Sequence, residues 1–91
     1  MKFILYRVEK PKNEIIDVLE DCSSKTALVA FAQSIRDDIS LMPGYQNCSC
    51  NVSMPTLTTD DHADSQEMYM TAYIRMHNNV TTQKPYIIAL K

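Results

Sequence analysis

Hydrophobic residues recur along this chain with two different periods, and the change of period divides it into strands and a helix. Residues 2–9 are rich in aromatic and β-branched types and are apolar on both faces at first, which is typical of a central strand. A turn over residues 10–13 interrupts the pattern. Residues 14–21 fit either a strand or a short helix. We favour a strand that forms a hairpin with the first one, because the segment is brief and follows a tight turn, and the pattern leaves the helix open.

A clear helical pattern comes next. Its start can be capped by Ser23 or Ser24, whose hydroxyl accepts a hydrogen bond from an otherwise unpaired backbone N–H. A single apolar stripe then recurs at helical spacing. The residues of this stripe are Leu28, Phe31, Ala32, Ile35, Ile39 and Met42. Pro43 and Gly44 are expected to end the helix, because proline lacks a backbone donor and glycine accepts left-handed dihedral angles.

Two later segments, 45–54 and 67–77, alternate strictly between apolar and polar residues, as strands of a half-buried antiparallel sheet do. A polar loop separates them, and a short last strand over 86–90 follows a second loop. The predicted fold class is α+β, in the order β-β-α-β-β-β, with one helix packed on one face of an antiparallel sheet of about five strands. We predict one compact domain over residues 1–91, since the chain is too short for two cores.

Composition and charge narrow the possible functions. Gly44 is the only glycine, and phosphate-binding loops need several, so the common nucleotide-binding loops are excluded. The formal net charge is −2, and no Lys or Arg lies between Arg36 and Arg75. The carboxylates in that interval are Asp37, Asp38, Asp60, Asp61, Asp64 and Glu67. We therefore expect no direct binding of nucleic acid, which normally needs a basic stripe.

The predicted location is the cytoplasm. The first apolar run is cut by Arg7, which makes it too short for a signal peptide, and no run is long enough for a membrane helix. We therefore expect no membrane association. The three cysteines, an odd number, suit a reducing compartment in which thiols stay free.

One side of the strand predicted over 67–77 has nothing in the predicted fold to cover it. The residues on that side that we assign to partner binding are Tyr69, Tyr73, Arg75 and His77. Tyrosine and arginine are enriched where interfaces concentrate their binding energy. The same pattern also fits a solvated sheet face or, against the acidic charge balance, a platform on which bases stack.

An acidic loop precedes that strand and supplies further candidates for partner binding: Asp60, Asp61, Asp64 and Glu67. They fit a solvated loop, a patch that meets a basic partner, or a site for a divalent cation. The spacing lacks the central glycine and terminal glutamate of a calcium-binding loop. We therefore expect neither a metal nor another cofactor.

Catalytic residues are not expected in this chain. Cys48 and Cys50 share one strand face, where they are expected to pack as small buried hydrophobes. A nucleophilic cysteine needs a histidine nearby, and His77 is predicted on the opposite face. An enzyme that uses one of these two cysteines remains a weaker alternative.

The architecture as a whole, a strand over 3–9, a helix over 24–42 and a strand over 68–76, resembles that of small phage-encoded inhibitors such as anti-CRISPR proteins. The resemblance implies a non-enzymatic protein in the host cytoplasm that occludes a host nuclease complex. Some such inhibitors present carboxylates where nucleic-acid phosphates would sit, a role open to the acidic loop. We predict an interaction protein that binds and blocks or regulates a partner protein. The alternative is a small-ligand binding or sequestering protein whose site lies at a homo-oligomer interface.

Overall fold

A computed structural model of the chain describes residues 2–53, 56–58 and 66–91. Over these residues the chain forms one helix and six strands. They are β1 (Lys2–Arg7), β2 (Glu14–Glu20), α1 (Ser24–Ser40), β3 (Ser49–Val52), β4 (Thr56–Thr58), β5 (Gln66–Arg75) and β6 (Thr81–Leu90). All the strand pairs are antiparallel, in the order β2-β1-β6-β5-β3, and β4 also pairs with β5. The predicted α+β class, with one helix against an antiparallel sheet, is confirmed.

The first hairpin confirms that the ambiguous segment is a strand. β2 pairs with β1 along its length, and β1 pairs with β6 on its other side. β1 therefore lies inside the sheet, which is why its residues are apolar on both faces. The register between β1 and β2 shifts by one residue between Leu5 and Tyr6. This β-bulge interrupts β2, an edge strand whose free backbone groups would otherwise invite pairing with another chain.

The helix begins where the sequence predicts. The Ser23 hydroxyl caps it by accepting a hydrogen bond from the Thr26 backbone N–H at 3.1 Å. The helix ends at Ser40, three residues before Pro43. Its fully buried residues are Ala27, Phe31, Ile35 and Ile39, so the stripe is centred slightly to one side of the predicted one. Leu28 and Ala32, both expected in the core, are only partly buried.

The strand predicted over 45–54 is shorter than expected, and part of the predicted loop that follows it is β4. β3 and β4 lie along the same side of β5, opposite β6, with a one-residue shift of register between them. At this point the Ser53 N–H donates to the Thr71 carbonyl at 2.9 Å, and the Thr71 N–H donates to the Ser53 hydroxyl at 3.1 Å. The Ser53 hydroxyl oxygen thus takes the place of a backbone carbonyl as hydrogen-bond acceptor, at the point where the register shifts between β3 and β4.

The last strand is longer than predicted, because β6 takes in most of the second predicted loop. Pro85 lies within β6, opposite Thr71 of β5. The Pro85 carbonyl accepts from the Val8 N–H at 3.2 Å, one residue beyond the end of β1. Because N and C=O of one strand residue point to the same side, the missing Pro85 donor faces the end of β1 rather than a continuous ladder. The proline therefore does not break the strand.

The core lies between α1 and one face of the sheet. Besides the helix residues, it contains Phe3, Leu5, Met68, Met70, Ala72, Ile74, Tyr86 and Ile88. These alternate along β1, β5 and β6, as residues of one sheet face must. Cys22, Cys48 and Cys50 are free thiols, partly buried against this core, as predicted for the last two.

Candidate interaction surface

The face of the sheet opposite α1, here called the open face, has no described element packed on it. Two rows of residues cross four strands on this face. The first row is Val18, Ile4, Ala89 and Glu67, and the second is Ile15, Tyr6, Ile87 and Tyr69. Ile4 and Ala89 are buried, while Ile15 is 57% exposed and Val18 is 40% exposed. The second row thus presents apolar and aromatic side chains that are at least partly accessible on all four strands.

The binding residues predicted for the uncovered side all come from the strand predicted over 67–77, and the open-face residues of β5 are polar or aromatic. The apolar residues come from β2, β1 and β6, which the topology places beside β5. The signal in the sequence is the run of apolar residues on both faces of β1, which predicts a buried strand but not which strands flank it.

β5 brings four of the predicted binding residues to the open face together. Tyr69 and Tyr73 are 41% and 39% exposed, and Arg75 is exposed on the same side. Glu67 is exposed at the other end of the row. His77, the fourth residue predicted on this side, lies beyond the end of β5, in the turn before β6. His77 therefore follows β5 instead of belonging to the part of it that carries the tyrosines.

A polar edge continues the surface on the β3 side. Asn51 pairs with Tyr73, and Ser49 pairs with Arg75. The Tyr69 hydroxyl donates to a Glu67 carboxylate oxygen at 3.1 Å. This hydrogen bond to the carboxylate raises the pKa of Tyr69, so the phenol stays protonated and able to donate.

The predicted acidic loop is only partly described. Asp60, Asp61 and Asp64 lie outside the described residues, and Glu67 belongs to β5 rather than to the loop. Over the described ranges, no group of three or more His, Cys, Asp and Glu side chains comes together to hold a metal ion. The role of the loop carboxylates in binding a partner stays a prediction.

A partly buried polar cluster, which no sequence pattern predicted, joins α1 to the sheet. The Arg7 guanidinium donates to one Asp38 oxygen at 2.6 Å, and the Tyr86 hydroxyl donates to the other at 2.7 Å. Arg7 also bonds Glu9 at 2.7 Å. Burial lowers the Arg7 pKa, but the hydrogen bonds to the two carboxylates outweigh it, so the net shift is upward. No local sequence signal predicts this cluster, because its members are 31 and 48 residues apart.

Cys50, one of the two cysteines considered as nucleophiles, lies partly buried against the core. Burial raises the pKa of Cys50, partly offset by the charge of Arg36. A raised pKa reduces the thiolate fraction that a nucleophile needs. Cys50 pairs with Ile74 on the helix side of the sheet, so its environment is that of a packed core residue.

In comparisons with known proteins, the chain matches no family model, no curated protein and no solved structure. Of the part of the chain that the structure describes, no helix is long and apolar enough to cross a membrane.

Proposed function

We propose that this protein is a non-enzymatic interaction protein that binds a partner protein through the open face and thereby blocks or regulates that partner. The observation that carries the proposal is the unbroken row from Ile15 to Tyr69 across four strands, with no described element over it. Exposed apolar surface that is contiguous, rather than scattered, is characteristic of interaction sites.

The composition of the open face supports binding to a protein. Its tyrosines bring a large apolar area and a polar hydroxyl, and each loses only two torsional freedoms when it is ordered. They stand on a paired strand, so little backbone order has to be gained on binding. Glu67 and Arg75 border the tyrosines with opposite charges, as the polar rim of an interface does.

A blocking role is the part of the proposal that the resemblance to phage-encoded inhibitors supports. A small protein without a catalytic centre regulates a larger one most simply by covering its working surface. Mimicry of nucleic acid by Asp60, Asp61 and Asp64 would add a second contact, and it stays a prediction. The cytoplasm, and the host cytoplasm if the protein is phage-encoded, likewise stays the predicted location.

Affinity capture with quantitative mass spectrometry tests the proposal. The bait is compared with two open-face variants, Tyr69→Ala/Tyr73→Ala and Ile15→Ser/Val18→Ser. The matched control is Val29→Ser/Leu41→Ser, which removes exposed apolar side chains outside the open face. We expect the wild type and the control to recover the same partner, and at least one open-face variant to recover it about tenfold less.

Equal recovery by all four proteins would contradict a role for the open face. An Asp60→Asn/Asp61→Asn/Asp64→Asn variant in the same experiment tests whether the acidic loop carries the binding instead. Native mass spectrometry of the purified protein tests the alternative function, a small-ligand binding protein, because a bound ligand would appear as added mass on an oligomer. A chain that carries no added mass and recovers a protein partner supports the proposed interaction protein.

A further inference from the structure

The open-face residues of β5 read the same in both directions, apart from the exchange of charge. They are Glu67, Tyr69, Thr71, Tyr73 and Arg75. An acid, a tyrosine and a threonine are followed by a tyrosine and a base. Alternate residues of a strand lie about 6.8 Å apart, so Thr71 stands midway between charges separated by roughly 27 Å. This order places opposite charges at equal distances from Thr71.

We propose that the open face binds a second copy of this chain, in a two-fold dimer whose axis crosses β5 at Thr71. The inference rests on the proposed function, since it names an occupant for the same face. The axis lies between the two sheets, parallel to their planes and perpendicular to β5. Rotation about it places β5 of the second copy over β5 of the first with the opposite chain direction. Tyr69 then faces the second copy's Tyr73, and Glu67 faces the second copy's Arg75. Each contact occurs twice, as in any isologous interface.

The charges at the two ends of β5 favour this arrangement over a second possible face-to-face dimer, in which the two-fold axis runs parallel to β5. With the axis parallel to β5, the two strands run in the same direction, and Glu67 would meet Glu67 while Arg75 would meet Arg75. Like charges placed together cost binding energy, whereas the perpendicular axis pairs opposite charges at both ends. Glu67 already accepts a hydrogen bond from the Tyr69 hydroxyl within one chain, so the second copy's Arg75 would be an additional partner of this carboxylate and not its first one.

The neighbouring strand extends the contact. Pro85 pairs with Thr71 and therefore lies on the same axis, where it meets its own counterpart. Ile87 pairs with Tyr69, so the second copy's Tyr73 lies diagonally over both of them. The dimer covers the β5 and β6 part of the open face and leaves Ile15 and Val18 of β2 at its margin. A different partner can therefore use that margin while the dimer is intact.

The contact between the two copies is small. From the rise per residue and the strand spacing, the β5 and β6 part of the open face measures roughly 27 Å by 10 Å, or about 270 Å² in plan. This is below the roughly 600–1,000 Å² that each partner buries in a stable interface, so the charge pairs at the two ends have to contribute much of the affinity. Weak association, with a dissociation constant in the upper micromolar range, is therefore expected rather than a permanent dimer.

Sedimentation equilibrium of charge-reversed variants tests the dimer, from about 1 μM to about 300 μM, the range expected for an interface of this size. Glu67→Arg alone and Arg75→Glu alone each place two pairs of like charges in the interface, and we expect each to weaken association about tenfold. The double variant restores the opposite pairs, so its association returns to within about threefold of wild type. Arg36→Glu, exposed on α1 and equal in charge change to Arg75→Glu, is expected to leave association unchanged.

An equimolar mixture of the two single variants makes the test specific. In a mixed dimer every reversed charge meets an opposite one, so the mixed species is expected to be about tenfold tighter than either single variant. Circular dichroism checks that each variant is folded. A wild type that stays monomeric at about 300 μM, or a dimer indifferent to the reversals, overturns the inference.

The two proposals fail separately. A monomeric wild type that still loses its captured partner through an open-face variant removes the dimer and keeps the proposed function. A dimer that behaves as expected, with no other protein captured through the open face, keeps the dimer and removes the partner.

Discussion

Tyr86 shows how one residue links three elements. Its ring lies fully buried in the core, and its hydroxyl reaches the Asp38 carboxylate that Arg7 also binds. Asp38 stands in the last turns of α1, where the helix dipole disfavours a negative charge. Its two hydrogen-bonded partners offset that cost, so the cluster fixes the C-terminal end of α1 to β1 and β6.

We predict that Tyr86→Phe lowers the free energy of unfolding by about 1.5–3 kcal/mol at neutral pH. The ring still fills the core, and only the hydrogen bond to a charged acceptor is lost. Urea denaturation of both proteins measures the difference. Tyr73→Phe, at an exposed position, serves as the control and should change stability by no more than about 0.5 kcal/mol. Equal effects at the two positions would show that the Asp38 contact contributes nothing.

The same residue predicts a loss of stability in alkali. Burial, together with the hydrogen bond to Asp38, raises the pKa of Tyr86 well above its ordinary value near 10. Above that pH the unfolded chain releases the phenol proton while the folded chain retains it, so folding loses about 1.4 kcal/mol per pH unit. The stability difference between wild type and Tyr86→Phe should therefore shrink from pH 10 upward, as urea titrations at successive pH values would reveal. A difference that stays constant to pH 11 contradicts the shift.

Left-handed backbone positions show how a chain with one glycine makes its turns. Gly44 adopts φ +87°, and three further positions with positive φ are occupied by Asp21, Asn47 and Asn79. Asparagine and aspartate tolerate this region better than other residues with a side chain. Asn78 and Asn79 can therefore form a turn without a glycine, and β5 turns into β6 there.

At the scale of elements, local capping chemistry defines the start of α1. The sequence allows Ser23 or Ser24 as the cap, and the hydrogen bond to Thr26 shows that it is Ser23. Ser24 is the first residue of the helix itself.

We predict that Ser23→Ala lowers the free energy of unfolding by about 1 kcal/mol, because the Thr26 N–H loses its acceptor. Ser24→Ala keeps the cap and should change stability by less than about 0.5 kcal/mol. Thermal and urea unfolding of the two variants distinguish the two serines. A larger loss at Ser24 would mean that the helix begins one residue later.

Strand existence was more predictable than strand length. Alternation over 67–77 anticipates β5 to within two residues at either end, and brevity identifies β2 as a strand. The last strand was predicted only over 86–90, after Pro85, whereas β6 begins at Thr81. Proline is disfavoured inside a strand, and the sequence near Pro85 does not show that β1 ends beside it. β4 was missed for a similar reason, since a three-residue strand exists only through its pairing with β5.

At the scale of the whole molecule, the sheet exposes two kinds of surface, its edges and its open face. Its edges, β2 and the β3–β4 line, are each interrupted by a shift of register, which hinders strand-to-strand aggregation. On the open face each of the two apolar rows is in register across four strands, and the β1–β2 shift lies between the rows. The register shifts thus discourage association through the edges, whereas none of the elements that the structure describes covers the open face.

The sequence by itself determined the fold class, the single helix with its cap, and the candidate tyrosines of β5, because periodicity and capping are local properties of neighbouring residues. It did not determine the order of strands or the meeting of Arg7, Asp38 and Tyr86, since these depend on contacts between distant residues. The apolar open face belongs to this second group. Only the tertiary structure could bring Ile15, Tyr6, Ile87 and Tyr69 into one row, because that row runs across four strands that are joined by pairing and not by sequence.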